Sequence, residues 1–266
     1  MALVLVCAGC KGSTVAKSTQ EFPQQTGFIQ RQIQVEGQTK SVWVFIPQNY
    51  ASNRLQPAIL FLHGLFEQGN DGGSNVLSAG LGPVIARNPA AWPFITIFPQ
   101  SDGTWEGPER DQLAMAALDD AVTHYQIDPS RVILAGLSYG GLGVWEIGAR
   151  HRDRFAALVP VSGFSAMQLV EPLSTMPVWA FVSKDDVFVN PENSIEMCQA
   201  IAARGGQPRL TQFAGGSHDC WPQVVGQSEL IPWMLQQRRN PLQASSSSYD
   251  RIGSQATGRL RAWTDH

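Results

Sequence analysis

The chain has 266 residues but only four cysteines and five histidines. The cysteine spacings match no zinc site and no histidines stand at ligand spacing, so neither a metal nor any other cofactor is expected. Charged residues are sparse, at 15%, and nearly balanced, with a net charge of −3. No basic stripe runs along the chain, which argues against a nucleic-acid partner. No apolar run approaches the roughly 18 residues that mark a membrane-crossing helix. No internal repeat is visible. What is abundant is apolar side chain, 43% of residues, enough for a sizeable core. The length suits one large α/β domain better than two small ones.

The N-terminus has its own character. Met1 to Gly9 is short and apolar, and Cys10-Lys11-Gly12-Ser13 follows. Ala8-Gly9 before Cys10 resembles the end of a bacterial lipoprotein signal, with Cys10 as lipid acceptor. It departs from that pattern in lacking Lys or Arg before the apolar run and in having Cys7 where leucine is usual. Residues 1–10 are therefore expected to be a signal segment. The protein is expected to be exported, periplasmic or membrane-anchored, with the cytoplasm as the alternative. Residues 11–27 are polar and mixed, as in a spacer. The tail 240–266 contains Ser245 to Ser248, shows no apolar periodicity and is expected to be disordered. This leaves 28–239 as the folded domain.

Within that domain two patterns alternate. Gln30–Val35 and Ser41–Ile46 alternate polar and apolar residues, as half-buried strands do, with Gly37 in the turn between them. Ala58–Leu62, Phe94–Phe98, Val132–Ala135, Ala156–Val161 and Val178–Val182 are continuous apolar runs, as in strands covered on both faces. Leu210–Phe213 is a further strand-like stretch. Helical stretches are expected over Asn75–Arg87, Asp111–Tyr125, Leu142–Arg150, Pro191–Arg204 and Pro222–Arg238. Buried strands alternating with helices imply a mostly parallel sheet with helices on both faces and an antiparallel N-terminal edge. In such sheets a site forms at the carboxyl ends of the strands.

The chemistry lies at such ends. Gly136-Leu137-Ser138-Tyr139-Gly140 is a G-x-S-x-G sequence between an apolar strand and a helix, the setting of a nucleophile elbow. A serine hydroxyl needs a base to take its proton and an acid to orient that base. His218, in the glycine-rich loop after Leu210–Phe213, stands where the chain order Ser, Asp, His puts the base. The acid belongs after Val178–Val182, where Asp185 and Asp186 are adjacent. Asp186 is preferred, leaving Asp185 to cap or face solvent. The oxyanion donors expected are the backbone N–H groups of Tyr139 and of Leu65, with Gly64 second. Gly64, Trp105 and Trp221 are candidate substrate contacts. His63 is expected to be structural, and Glu67 and Asp71 to tie down the oxyanion loop. Cys198 and Cys220 are read as a buried helix thiol and a loop thiol near the site, with pairing as the alternative in an exported protein.

Several stretches resemble bacterial α/β-hydrolase esterases, the relatives of poly(hydroxybutyrate) depolymerases, feruloyl esterases and the phospholipase/carboxylesterase group. They are Phe61-Leu62-His63-Gly64 through Asp71, Phe98-Pro99-Gln100 with Trp105, Asp128-Pro129 through Gly141, Pro177 to Phe181, and His218-Asp219-Cys220-Trp221. The similarity runs over roughly 28–238. It implies a serine esterase that works through an acyl-enzyme, with Ser138, Asp186 and His218 as its triad. The substrate would be a small-molecule or carbohydrate-linked ester. Departures are Val182-Ser183 where His-Gly is frequent, Asn190 for a usual proline, and the bulky Leu65-Phe66 beside the oxyanion loop. The short stretch from Ser162 to Met176 leaves no room for a large lid. Two further functions stay open: a peptidase of the same fold, and a non-catalytic binding protein on this frame.

Overall fold

The computed structural model describes residues 25–164 and 166–239. The expected signal segment, most of the spacer and the tail lie outside the described residues.

Eight strands form one sheet: β1 (Gly27–Val35), β2 (Gln38–Ile46), β3 (Gln56–Leu62), β4 (Ile95–Pro99), β5 (Ile127–Leu137), β6 (Ala157–Val161), β7 (Trp179–Ser183) and β8 (Arg209–Phe213). Their spatial order is β1-β2-β4-β3-β5-β6-β7-β8. β1 pairs antiparallel with β2, and β2 with β4; every other pairing is parallel. The expected antiparallel N-terminal edge on a parallel sheet is therefore present. β3, β4, β6 and β7 are buried at every residue, which is why they read as continuous apolar runs.

The helices are α1 (Leu81–Arg87), α2 (Pro108–His124), α3 (Tyr139–Arg150), α4 (Val170–Leu173), α5 (Glu192–Ala203), α6 (Trp221–Val225) and α7 (Leu230–Gln236). They cover both faces of the sheet. On β3, Ala58, Leu60 and Leu62 join one core with residues of α2 to α5. Ile59 and Phe61 point the other way, into a second core with α1, α6 and α7. This is the period-two alternation of a strand expressed as two cores.

Two expected helices are split. Asn75–Arg87 is a 3₁₀ turn, Ser74–Leu77, followed by α1. Gly80 between them has φ +63°, outside helical space, and a Cβ there would meet the Phe61 ring at 2.3 Å. Pro222–Arg238 breaks after α6 into a short turn before α7. Between β6 and β7 the described residues hold only a 3₁₀ turn and α4, so the expected absence of a large lid domain holds for that segment. Cys198 and Cys220 are both buried and unpaired. Among the described residues no helix is long and apolar enough to cross a membrane.

The loop after β3 is pinned to the loop after β4 through His63. Its Nδ1–H donates to the Gly64 carbonyl at 2.7 Å, and Ser101 N–H donates to its Nε2 at 2.9 Å. A carbonyl only accepts and an amide only donates, so the imidazole is the neutral Nδ1–H tautomer. The Trp105 indole N–H donates to the His63 carbonyl at 2.9 Å, and the two rings meet edge-on at 5.0 Å. Burial pushes the His63 pKa down to about 4 from an ordinary 6.5.

Two outcomes follow from this packing. Phe61 lies between Phe98 and Trp221, with ring centroids 5.5 and 5.6 Å away. Phe61→Ala is expected to lower the unfolding free energy by about 3–5 kcal/mol, read as a shifted urea midpoint at unchanged m-value. As pH falls from 6.5 to about 4, the unfolded chain takes up a proton at His63 that the folded chain refuses. Stability should fall with pH across that window, by up to about 1.4 kcal/mol per pH unit from this group. His63→Gln should flatten that dependence by the same amount in urea titrations; parallel slopes would assign it elsewhere.

Candidate active site

The site assembles at the carboxyl ends of four parallel strands. Ser138 follows β5, Asp186 follows β7, His218 follows β8, and Leu65 follows β3. Ser138 is the N-cap of α3 at φ 60° and ψ −116°, a conformation that costs a non-glycine residue roughly 1–3 kcal/mol. The surroundings impose it. Ser138 N–H donates to the Val161 carbonyl at 3.0 Å, and Leu142 N–H donates to the Ser138 carbonyl at 3.0 Å. The flanking glycines are demanded by closeness rather than by φ. A Cβ on Gly136 would sit 2.3 Å from the Gly140 carbonyl oxygen, and one on Gly140 would sit 1.9 Å from that of Leu62.

The two neighbouring aspartates divide two tasks. Asp186 Oδ2 accepts from His218 Nδ1–H at 2.8 Å, since an ionised carboxylate can only accept. Its Oδ1 is held by the N–H groups of Phe188 and Val189 at 2.9 and 3.0 Å. The Asp186 side chain is 2% exposed. Asp185 instead accepts the Ser183 hydroxyl at 2.6 Å and the Ser217 N–H at 2.9 Å. Those bonds, the Ser183 one foremost, hold its carboxyl below the ordinary carboxylate range. So Asp186 holds the imidazole and Asp185 holds the main chain that carries it.

Leu65 begins a 3₁₀ turn, Leu65–Glu67, and Tyr139 begins α3. First-turn N–H groups have no partner within their own helix or turn, and both residues line the cavity beside Ser138. Gly64 is different. Its N–H donates to Glu67 Oε2 at 3.1 Å, so the second choice for an oxyanion donor is already engaged. Gly64 lies against the elbow all the same: a Cβ there would be 3.5 Å from Ser138 Cβ. Burial pushes the Glu67 carboxyl above its ordinary value, against the pull of Gly64 N–H. Asn75 and Gln100 side-chain amides donate to the Glu67 carbonyl at 3.2 and 3.5 Å. Glu67 therefore ties the loop, as expected. Asp71 accepts the Gly73 N–H at 2.9 Å within its own turn.

A cavity of about 260 Å³ is lined by Gly64, Leu65, Ser138, Tyr139 and His218, with Phe66 and Phe188 at its rim. Trp105 and Trp221 do not line it, contrary to expectation. They are 0% and 1% exposed. Trp105 is spent on His63, and Trp221 packs into the core on Phe61. Three contributors escaped the sequence reading. Ser162, at φ 48° after β6, donates its hydroxyl to the His218 carbonyl at 2.8 Å. Phe164 stacks near Tyr139, with centroids 5.0 Å apart, and Val189 lies in the wall. The cue for Ser162 was readable, since Ser162-Gly163 directly follows a buried strand. Among the described residues no cluster of three or more His, Cys, Asp or Glu side chains is arranged to hold a metal ion.

The chain is similar to several known proteins. Residues 105–175 match the prolyl oligopeptidase family. The chain is 28% identical over 160 residues to a bifunctional acetylxylan esterase/xylanase of Neocallimastix patriciarum, across 57% of this chain and 22% of that protein. It is 28% identical over 157 residues to acyl-protein thioesterase 1 homolog 2 of Dictyostelium discoideum, across 50% and 71%. A thermostable esterase of known structure superposes with a TM-score of 0.65 at 26% identity, across 80% of this chain and 63% of that one. The chain thus spans about a fifth of the first relative and under two thirds of the thermostable esterase. The sheet order and these similarities show an α/β-hydrolase fold in a chain that is similar to esterases.

Proposed function

We propose that this protein hydrolyses carboxylic esters through an acyl-enzyme on Ser138. The observation that carries the proposal is a single cavity that gathers the strained Ser138, the His218 imidazole paired to Asp186, and the first-turn residues Leu65 and Tyr139. His218 Nδ1–H is bonded to Asp186, so Nε2 carries the lone pair and can take the Ser138 proton as Oγ attacks the ester carbonyl. The N–H groups of Leu65 and Tyr139 bind the oxyanion, worth about 3 kcal/mol each in comparable sites. The imidazolium, stabilised by Asp186, passes its proton to the leaving alcohol. Water then enters by the same path and releases the acid.

The cavity is smaller than the roughly 300–1,000 Å³ that encloses a drug-sized ligand, which favours a short acyl group. The relative named as an acetylxylan esterase supports acetylated carbohydrate among the substrates to try. The match to the prolyl oligopeptidase family supports a peptidase as the second reading. Export, with lipid attachment at Cys10, is proposed on the N-terminal sequence alone.

With p-nitrophenyl acetate, butyrate and octanoate, the short esters should exceed octanoate in kcat/KM by about tenfold or more. Ser138→Ala should reduce turnover to background, a loss on the order of 10⁶-fold, with unchanged circular dichroism. Cleavage of peptide anilides but of no ester would favour the peptidase instead. Asp186→Asn should lower kcat by about 10⁴-fold. Asp185→Asn, which leaves the imidazole's partner in place, should cost less than about tenfold. A reversed order would move the acid to Asp185.

A further inference from the structure

Large apolar side chains left in water need a reason when they gather in one place. Three of them line the cavity: Leu65 and Phe66, 46% and 77% exposed, and Phe188, 63% exposed, with Val187, 83% exposed, next to Phe188 in the chain. They come from two loops far apart in sequence, one carrying the oxyanion amide and one following Asp186. The Phe66 and Phe188 rings touch edge to face across the rim, with centroids 6.5 Å apart and planes at 80°. Phe188 also lies over the His218 imidazole, with centroids 5.2 Å apart. Both rings line the cavity with Ser138.

The contact with His218 decides which part of an ester these rings would meet. The imidazolium delivers its proton to the leaving-group oxygen. The alcohol half of the ester must therefore pass beside His218, and hence beside Phe188. The cavity is too small to enclose a large ester whole, so that half projects outward along the two rings. Resting on the esterase reading above, we infer that Phe66 and Phe188 form an aromatic subsite for the alcohol portion of the substrate, which selects esters of aromatic or bulky apolar alcohols over those of small ones. Neither ring touches the reacting atoms, so both act on specificity and not on the chemical step. Offset or edge-to-face packing of an aryl group on such rings adds to the burial of its area.

The test compares benzyl acetate with ethyl acetate, which share an acyl group and differ in the alcohol. Both rings are exposed, so Phe66→Ala and Phe188→Ala should fold normally. Each is expected to lower kcat/KM for benzyl acetate by about fivefold to tenfold, mostly through KM, and to leave ethyl acetate within about twofold. An equal fall on both esters, or no fall on benzyl acetate, overturns the subsite. If the wild type turns over no ester, the esterase reading is what fails. Binding of benzyl alcohol by saturation-transfer NMR then decides the subsite alone: signal lost in Phe188→Ala supports it, and absent or unchanged signal overturns it.

Discussion

The first turn of α3 presses against the carbonyls at the end of β3, closer than any side chain on Gly140 would allow. That approach sets the rest of the site. It forces β5 to end in a turn tight enough to hold Ser138 at positive φ. It brings the α3 N-terminus beside the loop after β3, so the Tyr139 and Leu65 amides border one cavity. The strain at Ser138 is small beside the burial of the two cores that clamp it, since Leu134 and Ala135 of β5 feed one core each. A strained residue persists where its surroundings over-determine it, and here the backbone bonds from Val161 and Leu142 do so.

Around that turn the side chains at the strand ends are held by a layer of polar contacts. The His218 ring is gripped by Asp186, its carbonyl by Ser162, and the N–H of the preceding residue by Asp185. Two loops, the one after β6 and the one after β7, thus hold one short loop. On the other side, His63 and Glu67 do the same for the oxyanion loop, and their protonation follows burial rather than chemistry. The rim is the exception. Phe66 and Phe188 remain in water where the fold had the means to cover apolar groups, which is how binding surfaces are left open.

How far the sequence could be read depended on how far each signal was local. Strands buried on both faces spell out continuous apolar runs, so β3 to β7 were visible within a few residues. Ser138, Asp186 and His218 follow strand ends in chain order, and of the two adjacent aspartates it is Asp186 that contacts the His218 ring. The split of Asn75–Arg87 was hidden, because Gly80 breaks the helix by accommodating Phe61 from a strand elsewhere. Trp105 and Trp221 were misplaced for the same reason. An aromatic residue near a catalytic motif in sequence says nothing about whether it faces the cavity or the core, and both face inward.

By itself, the sequence determined the kind of fold this is: an α/β sheet with Ser138, Asp186 and His218 on the loops that follow its strands. Those signals are periodicity and chain order, which need no knowledge of neighbours. The tertiary structure decided which side chains share the cavity, that the Gly64 amide is taken up by Glu67, and that Leu65, Phe66 and Phe188 line one cavity. These depend on loops separated by more than a hundred residues being brought side by side, and no local pattern encodes which faces of those loops turn toward each other.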